Sequence, residues 1–141
     1  MTVAGAPVLS RRALNRTLLG RQLLLERVDR PIVEVIEHLV ALQAQEPIDP
    51  YVALWSRLAP FDPAELNDMI ADRRLVRMGS LRTTLHLMTA EDALGITPLT
   101  AAVHERTFAN TPFAKALVGL DRAGVLAAAR SALCSSPLER R

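Results

Sequence analysis

Two glutamines, Gln43 and Gln45, have the least ordinary setting in this 141-residue chain. Gln43 falls on a helical stripe with Ile32, Ile36 and Leu39, where the pattern asks for an apolar side chain. An amide on a core-facing position must find hydrogen-bond partners. Residues two apart on a helix point about 200° apart. The two amides therefore converge only if the helix ends near Leu42 to Ala44, and Pro47 favours such an ending. Spacing alone favours the plainer reading, two helix-forming glutamines near a helix end.

Other chemistry is thinly supplied. Cys134 is the sole cysteine, so no disulfide framework or thiolate cluster is expected, and a reducing cytoplasm suits the composition. His38, His86 and His104 lie far apart without ligand spacing, so no metal and no cofactor is expected. Met1 to Pro7 lacks the basic region of a signal peptide, and no apolar run approaches a membrane span. Half of the residues are hydrophobic, which excludes a disordered tail, and aliphatic side chains must build the core because aromatics make up only 4%.

All basic residues but Lys115 are arginine, the side chain that grips phosphate or carboxylate in two places, although a GC-rich genome would produce the same bias. Residues 1–30 hold six arginines against Glu26 and Asp29. Residues 31–72 hold Arg57 against eight acids, and residues 73–90 hold Arg73, Arg74, Arg77 and Arg82 with no acid. Two basic blocks thus flank an acidic one. A nucleic-acid backbone is the natural partner for such blocks, and mutual neutralisation within the fold is the alternative.

Among the elements that must hold these residues, the first starts at Ser10, which predicts the cap of a helix running to about Glu26, apolar nearly all round and so packed between other elements. Arg21 on its leucine side calls for an acidic partner. Asp29-Arg30-Pro31 predicts the next start. Asp49-Pro50 opens a short helix with Tyr51, Leu54, Trp55 and Leu58 inward. Asp62-Pro63 opens a fourth helix, with Glu65 completing a capping box and Leu66, Met69 and Ile70 inward. Leu75–Met78, a Gly79-Ser80 turn and Leu81–Met88 read as a β-hairpin. Thr89 to Asp92 caps a helix over about 90–109, a loop follows around Asn110-Thr111-Pro112, and a last helix covers about 121–133.

The fold class expected is mainly α with a small β-hairpin, a winged helix-turn-helix with an extra N-terminal helix. Residues 1–9 are expected to be disordered, 10–110 to form the winged-helix domain with its core at 31–88, and 111–141 to be a linker and the truncated start of a second unit. Val125, Leu126 and Leu133 would then be partly exposed.

In ordinary helix-turn-helix proteins the second helix of the motif reads the major groove. Here that helix turns Glu65, Asp68 and Asp72 outward, towards phosphates that would repel them. The N-terminal helix and the hairpin are the better DNA-facing elements, through Arg12, Arg16, Arg77 and Arg82, with Thr84 and His86 on the Arg82 side of the second hairpin strand.

Several stretches carry a resemblance. Leu14-Asn15-Arg16 with Leu19-Gly20-Arg21-Gln22, Val40 through Pro47, Tyr51 through Leu58 and Leu81 through Leu87 together resemble the AlkZ/YcaQ-like bacterial DNA glycosylases, winged-helix DNA-binding-domain proteins. The resemblance covers residues 9–133, the N-terminal part of a longer family pattern with three tandem winged-helix units, and it weakens from Cys134 to Arg141.

That resemblance implies hydrolysis of the N-glycosidic bond of alkylated purines, crosslink adducts included, in double-stranded DNA. It makes Gln43-Ala44-Gln45 the catalytic motif of glutamine, aliphatic residue, glutamine. An N7-alkylated purine is already cationic and leaves without strong acid catalysis. Two amide oxygens can accept from a water and turn negative dipole towards an oxocarbenium-like sugar. A Schiff-base lyase needs an amine, and Lys115 lies far from the motif, so a water-using monofunctional enzyme is implied. The isolated chain is expected to excise alkylated purines poorly or not at all, and a version extended with further units to be active. A non-catalytic winged-helix module, or an inactive remnant, is the alternative.

Overall fold

The computed structural model describes residues 8–135. The expected disorder over 1–9 falls, up to residue 7, outside the described residues, as does the expected frayed tail from residue 136. The chain divides into two compact units, the first ending at Ala101 and the second beginning at Ala102. The division falls inside a helix, somewhat earlier than the expected 110/111 boundary.

The first unit opens with α1, Arg11–Arg21, whose cap is Ser10, its side chain accepting from the Ala13 N–H. α1 ends well before Glu26. Leu23 takes a left-handed φ of 54°, with Leu24 N–H bonded to the Leu19 carbonyl and Leu23 N–H to that of Gly20. This is a Schellman end made without glycine. Among the described residues α1 buries no side chain, contrary to the expected sandwiched helix, and Arg21 is exposed with no ion pair. The loop after α1 is tied down instead. His38 Nε2 lies 2.9 Å from the Arg21 carbonyl oxygen, and Val28 donates to Arg57 and accepts from Ala59.

α2 spans Ile32–Leu39 and buries Ile32, Val35 and Ile36. Val40 follows with φ 67° and ψ −46°, a strained conformation for a β-branched residue. That residue stops the helix before the glutamines, and Leu42–Gln43 form strand β1. α3 (Asp49–Trp55) and α4 (Pro63–Ala71) follow. Asp62 caps α4 by accepting from Ala64 N–H. Arg73, φ 60°, closes it with a second glycine-free Schellman pair, Arg74 to Met69 and Arg73 to Ile70.

β2 (Leu75–Gly79) and β3 (Leu85–Thr89) make the hairpin. The turn between them is longer than Gly79-Ser80. Leu81–Thr83 form a short 3-10 turn in which Arg82 and Thr83 both have left-handed φ. The sheet is antiparallel in the order β1-β3-β2. One face meets the helices. Leu42, Ala44, Leu75 and Leu87 join Ile32, Val35, Ile36, Leu54, Leu58, Leu66 and Met69 in a single apolar core. Helix, strand, helix, helix and hairpin is the winged-helix order, mainly α with a small antiparallel sheet. Two side chains expected inside are not: Ile70 is exposed, and Trp55 is 60% exposed, with the Arg27 guanidinium 4.4 Å above its ring.

α5 runs Ala90–Ala109 from a reciprocal Thr89–Asp92 cap. The expected break falls at Asn110 and Thr111, short α6 follows from Pro112 to Ala116, and α7 covers Arg122–Ser135. In the second unit Leu126 and Leu133 are exposed and Val125 is half-buried. No described helix is long and apolar enough to cross a membrane.

Candidate active site

The glutamines are placed by a strand, not by a helix stripe. Because Val40 ends α2 early, Leu42 and Gln43 run as a strand beside β3 before the chain bends at Gln45: Leu42 pairs with Leu87, Gln43 with His86, and Ala44 N–H donates to the Leu85 carbonyl at 2.9 Å. Side chains alternate on an extended chain. Leu42 and Ala44 go into the core, and Gln43 and Gln45 both lie exposed.

Gln45 is held from several sides. Its Oε1 accepts the backbone N–H of Leu85 at 3.3 Å, prolonging the β1–β3 ladder by a side-chain bond. Arg77 donates from Nε to the Ala44 carbonyl at 2.8 Å and from Nη2 to the Gln45 carbonyl at 3.0 Å. Glu46 N–H donates to Asp49 Oδ2 at 3.0 Å, and Asp49 N–H returns a bond to the Glu46 carbonyl. The turn after the motif is thereby fixed. An amide oxygen has two lone pairs, so Gln45 keeps one acceptor site beyond its bond to Leu85.

Of the side chains expected to meet DNA, Arg12 and Arg16 lie exposed one turn apart on α1, and Arg82 is exposed in the hairpin turn. Thr84 is half-buried and donates its hydroxyl to the Leu81 carbonyl at 3.2 Å. His86 is only 6% exposed. Its Nδ1 lies 3.0 Å from the Thr84 carbonyl, which can only accept, so Nδ1 carries the proton. As the register partner of Gln43, it shares that strand face and lies beside the glutamine rather than out in solvent. Arg77 faces carbonyls, as above. Gln43 lies on an edge strand and Gln45 just beyond it, and a cleft elsewhere is lined by Tyr51, Val52, Trp55, Phe61 and Pro63.

Sequence reasoning missed Arg57. It is nearly buried, and its guanidinium donates to the Gln22 carbonyl at 2.8 Å, the Ala53 carbonyl at 2.7 Å and Ser56 Oγ at 3.3 Å. Burial holds its pKa below the usual arginine value. Its isolation inside the acidic block was the available signal. Among the described residues no cluster of three or more His, Cys, Asp or Glu could hold a metal ion.

A winged helix with a paired-glutamine edge strand is the class that fold and site define. The family model DNA glycosylase AlkZ-like matches residues 36–141, and the chain belongs to that family. The match begins within α2, leaves α1 outside, and runs through the segment after Cys134 in which the resemblance was expected to weaken. The family ties the chain to DNA repair with DNA as partner. Comparison with curated proteins and with solved structures finds no match.

Proposed function

We propose that this chain carries the base-excision face of a monofunctional DNA glycosylase, one that hydrolyses the N-glycosidic bond of alkylated purines, crosslink adducts included, in double-stranded DNA. The observation that carries the reading is that Gln43 and Gln45 are both exposed on either side of Ala44, while Leu42 and Ala44 are anchored in the core. An N7-alkylated purine departs as a neutral base, leaving positive charge on the sugar. Gln43 and the remaining lone pair of Gln45 accept from the attacking water and set their carbonyl dipoles against that charge. Preorganised dipoles of this kind need little reorganisation as the bond breaks.

Arg12, Arg16 and Arg82 hold phosphates on either side of the lesion. The exposed carboxylates of Glu65, Asp68 and Asp72 on α4 disfavour the other reading, a regulator that inserts this helix in the major groove. Residues 31–88 are the winged helix that bears the site.

The test is binding to a duplex with a cationic azasugar at the lesion position, against the same duplex with a neutral tetrahydrofuran abasic site. Tighter binding of the cationic duplex, abolished in the Gln43→Ala, Gln45→Ala double variant, is the expected result. Equal affinity for the two duplexes in the unaltered chain would overturn the reading.

A further inference from the structure

We infer that Arg77 is a positioning residue for the glutamine motif and not a DNA contact, an inference that rests on the reading of Gln45 as part of the site. Three observations support it. Arg77 lies on β2, the strand farthest from β1, yet its guanidinium reaches past β3 to the carbonyls of Ala44 and Gln45, at 2.8 and 3.0 Å. It is opposite Leu87, which is in turn opposite Leu42, so all three belong to one row across the sheet. From there the side chain slants towards the end of the row where β1 gives way to the turn.

The second observation is what those carbonyls would otherwise lack. β1 is an edge strand that pairs with β3 over only two residues, and the ladder ends at Ala44 N–H and Gln45 Oε1. Beyond that point no main-chain donor among the described residues satisfies the carbonyls of Ala44 and Gln45. A guanidinium holds two donors in a rigid plane and can meet two successive carbonyls together. The ladder's usual donor to the Ala44 carbonyl, Leu85 N–H, is taken by Gln45 Oε1, and Arg77 supplies a donor in its place.

The third is the direction of the effect. Fixing the Gln45 carbonyl fixes the peptide plane from which its side chain departs, and the same side chain is held at its tip by Leu85 N–H. Clamped at base and tip, Gln45 is held in one orientation before DNA arrives. A long, flexible side chain would otherwise lose that freedom during catalysis. In this arrangement Arg77 acts through the backbone of the motif, its charge spent on the carbonyl dipoles of Ala44 and Gln45.

The test uses the whole chain and the variants Arg77→Gln and Arg77→Lys. Amide hydrogen exchange by NMR reads the clamp directly. In Arg77→Gln the Leu85 amide is expected to exchange about tenfold faster, and the Gln45 side-chain amide resonances shift, while the amides of Leu87 and Met88 are unchanged. Arg77→Lys, which can satisfy one carbonyl, recovers part of the protection. The salt dependence of DNA binding is expected to keep its slope in both variants. Where base release is followed, the loss falls on kcat with KM unchanged, and lysine recovers part of it. Unchanged Leu85 exchange in Arg77→Gln would overturn the inference. So would a salt slope reduced by about 0.9, the value of one neutralised phosphate. Faster Leu85 exchange together with no preference of the unaltered chain for the cationic azasugar would uphold the clamp and overturn the catalytic reading, so the two failures are distinguishable.

Discussion

The side-chain oxygen of Gln45 accepts the backbone N–H of Leu85 at 3.3 Å, so a residue of the glutamine motif is also the last rung of the β1–β3 ladder. That bond is exposed to solvent, and a neutral exposed hydrogen bond contributes about 1 kcal/mol at most. Gln45→Ala should therefore lower stability by about 1 kcal/mol or less, as read from urea unfolding. A loss of several kcal/mol would mean that Gln45 is chiefly structural, and its activity variants would then report unfolding.

Arg57 is the counter-case. Its guanidinium joins the Gln22 carbonyl after α1 to the Ala53 carbonyl in α3 and makes no ion pair among the described residues. Arg57→Met keeps the aliphatic stem but leaves those acceptors short of donors. The expected cost is about 2 kcal/mol in the same urea experiment. A change within about 0.5 kcal/mol would show that the loop after α1 holds without it.

Val40 ends α2 with φ 67° and ψ −46°, beside the strand that bears the glutamines. A β-branched residue there stores about 1–3 kcal/mol of strain, whereas glycine adopts positive φ without steric cost and loses roughly 0.5–1 kcal/mol in chain entropy. Val40→Gly is expected to stabilise the protein by about 1 kcal/mol. A destabilisation of the same size would show that the left-handed turn is relaxed as it stands.

These helix ends also explain what the sequence could and could not convey. Starts are legible where a cap is a side chain: Ser10, Asp62 and Thr89 each accept an N–H of the following turn, whereas α2 and α3 start after Pro31 and Ile48 without a side-chain cap, so Asp29 is not the cap expected of it and Asp49 lies inside its helix. Ends are not legible, because Leu23, Val40 and Arg73 occupy left-handed positions where glycine is the usual signal. With Val40 taken for helix, β1 is invisible in the sequence and Gln43 falls on a core stripe. The exposure of Gln43 and Gln45 on either side of buried Ala44 needs the backbone to be seen. The acidic outer face of α4 follows from spacing, since Leu66 and Met69 fix the buried side. Trp55 misleads because an aromatic residue at helical spacing looks like core. Its exposed ring lies under the Arg27 guanidinium, whose Nη2 also donates to the Trp55 carbonyl.

The arginines of α1 and of the hairpin turn make a separable prediction. Replacing Arg12, Arg16 and Arg82 together by glutamine should weaken DNA binding equally for all sequences. It should also lower the magnitude of the salt slope by about 0.9 for each phosphate no longer neutralised. Fluorescence anisotropy over a range of salt concentrations measures this. An unchanged slope would place the DNA surface elsewhere.

The central claim is that Gln43 and Gln45 act together on a cationic lesion. Single-turnover release of N7-methylguanine from duplex DNA, with the chain in excess, tests it most directly. The account predicts release above the spontaneous rate by the unaltered chain, slow though it is, and a fall of about a hundredfold in the enzyme-dependent rate on replacing either glutamine by alanine. Equal release by the unaltered chain and by the Gln43→Ala, Gln45→Ala double variant, both folded, would contradict it.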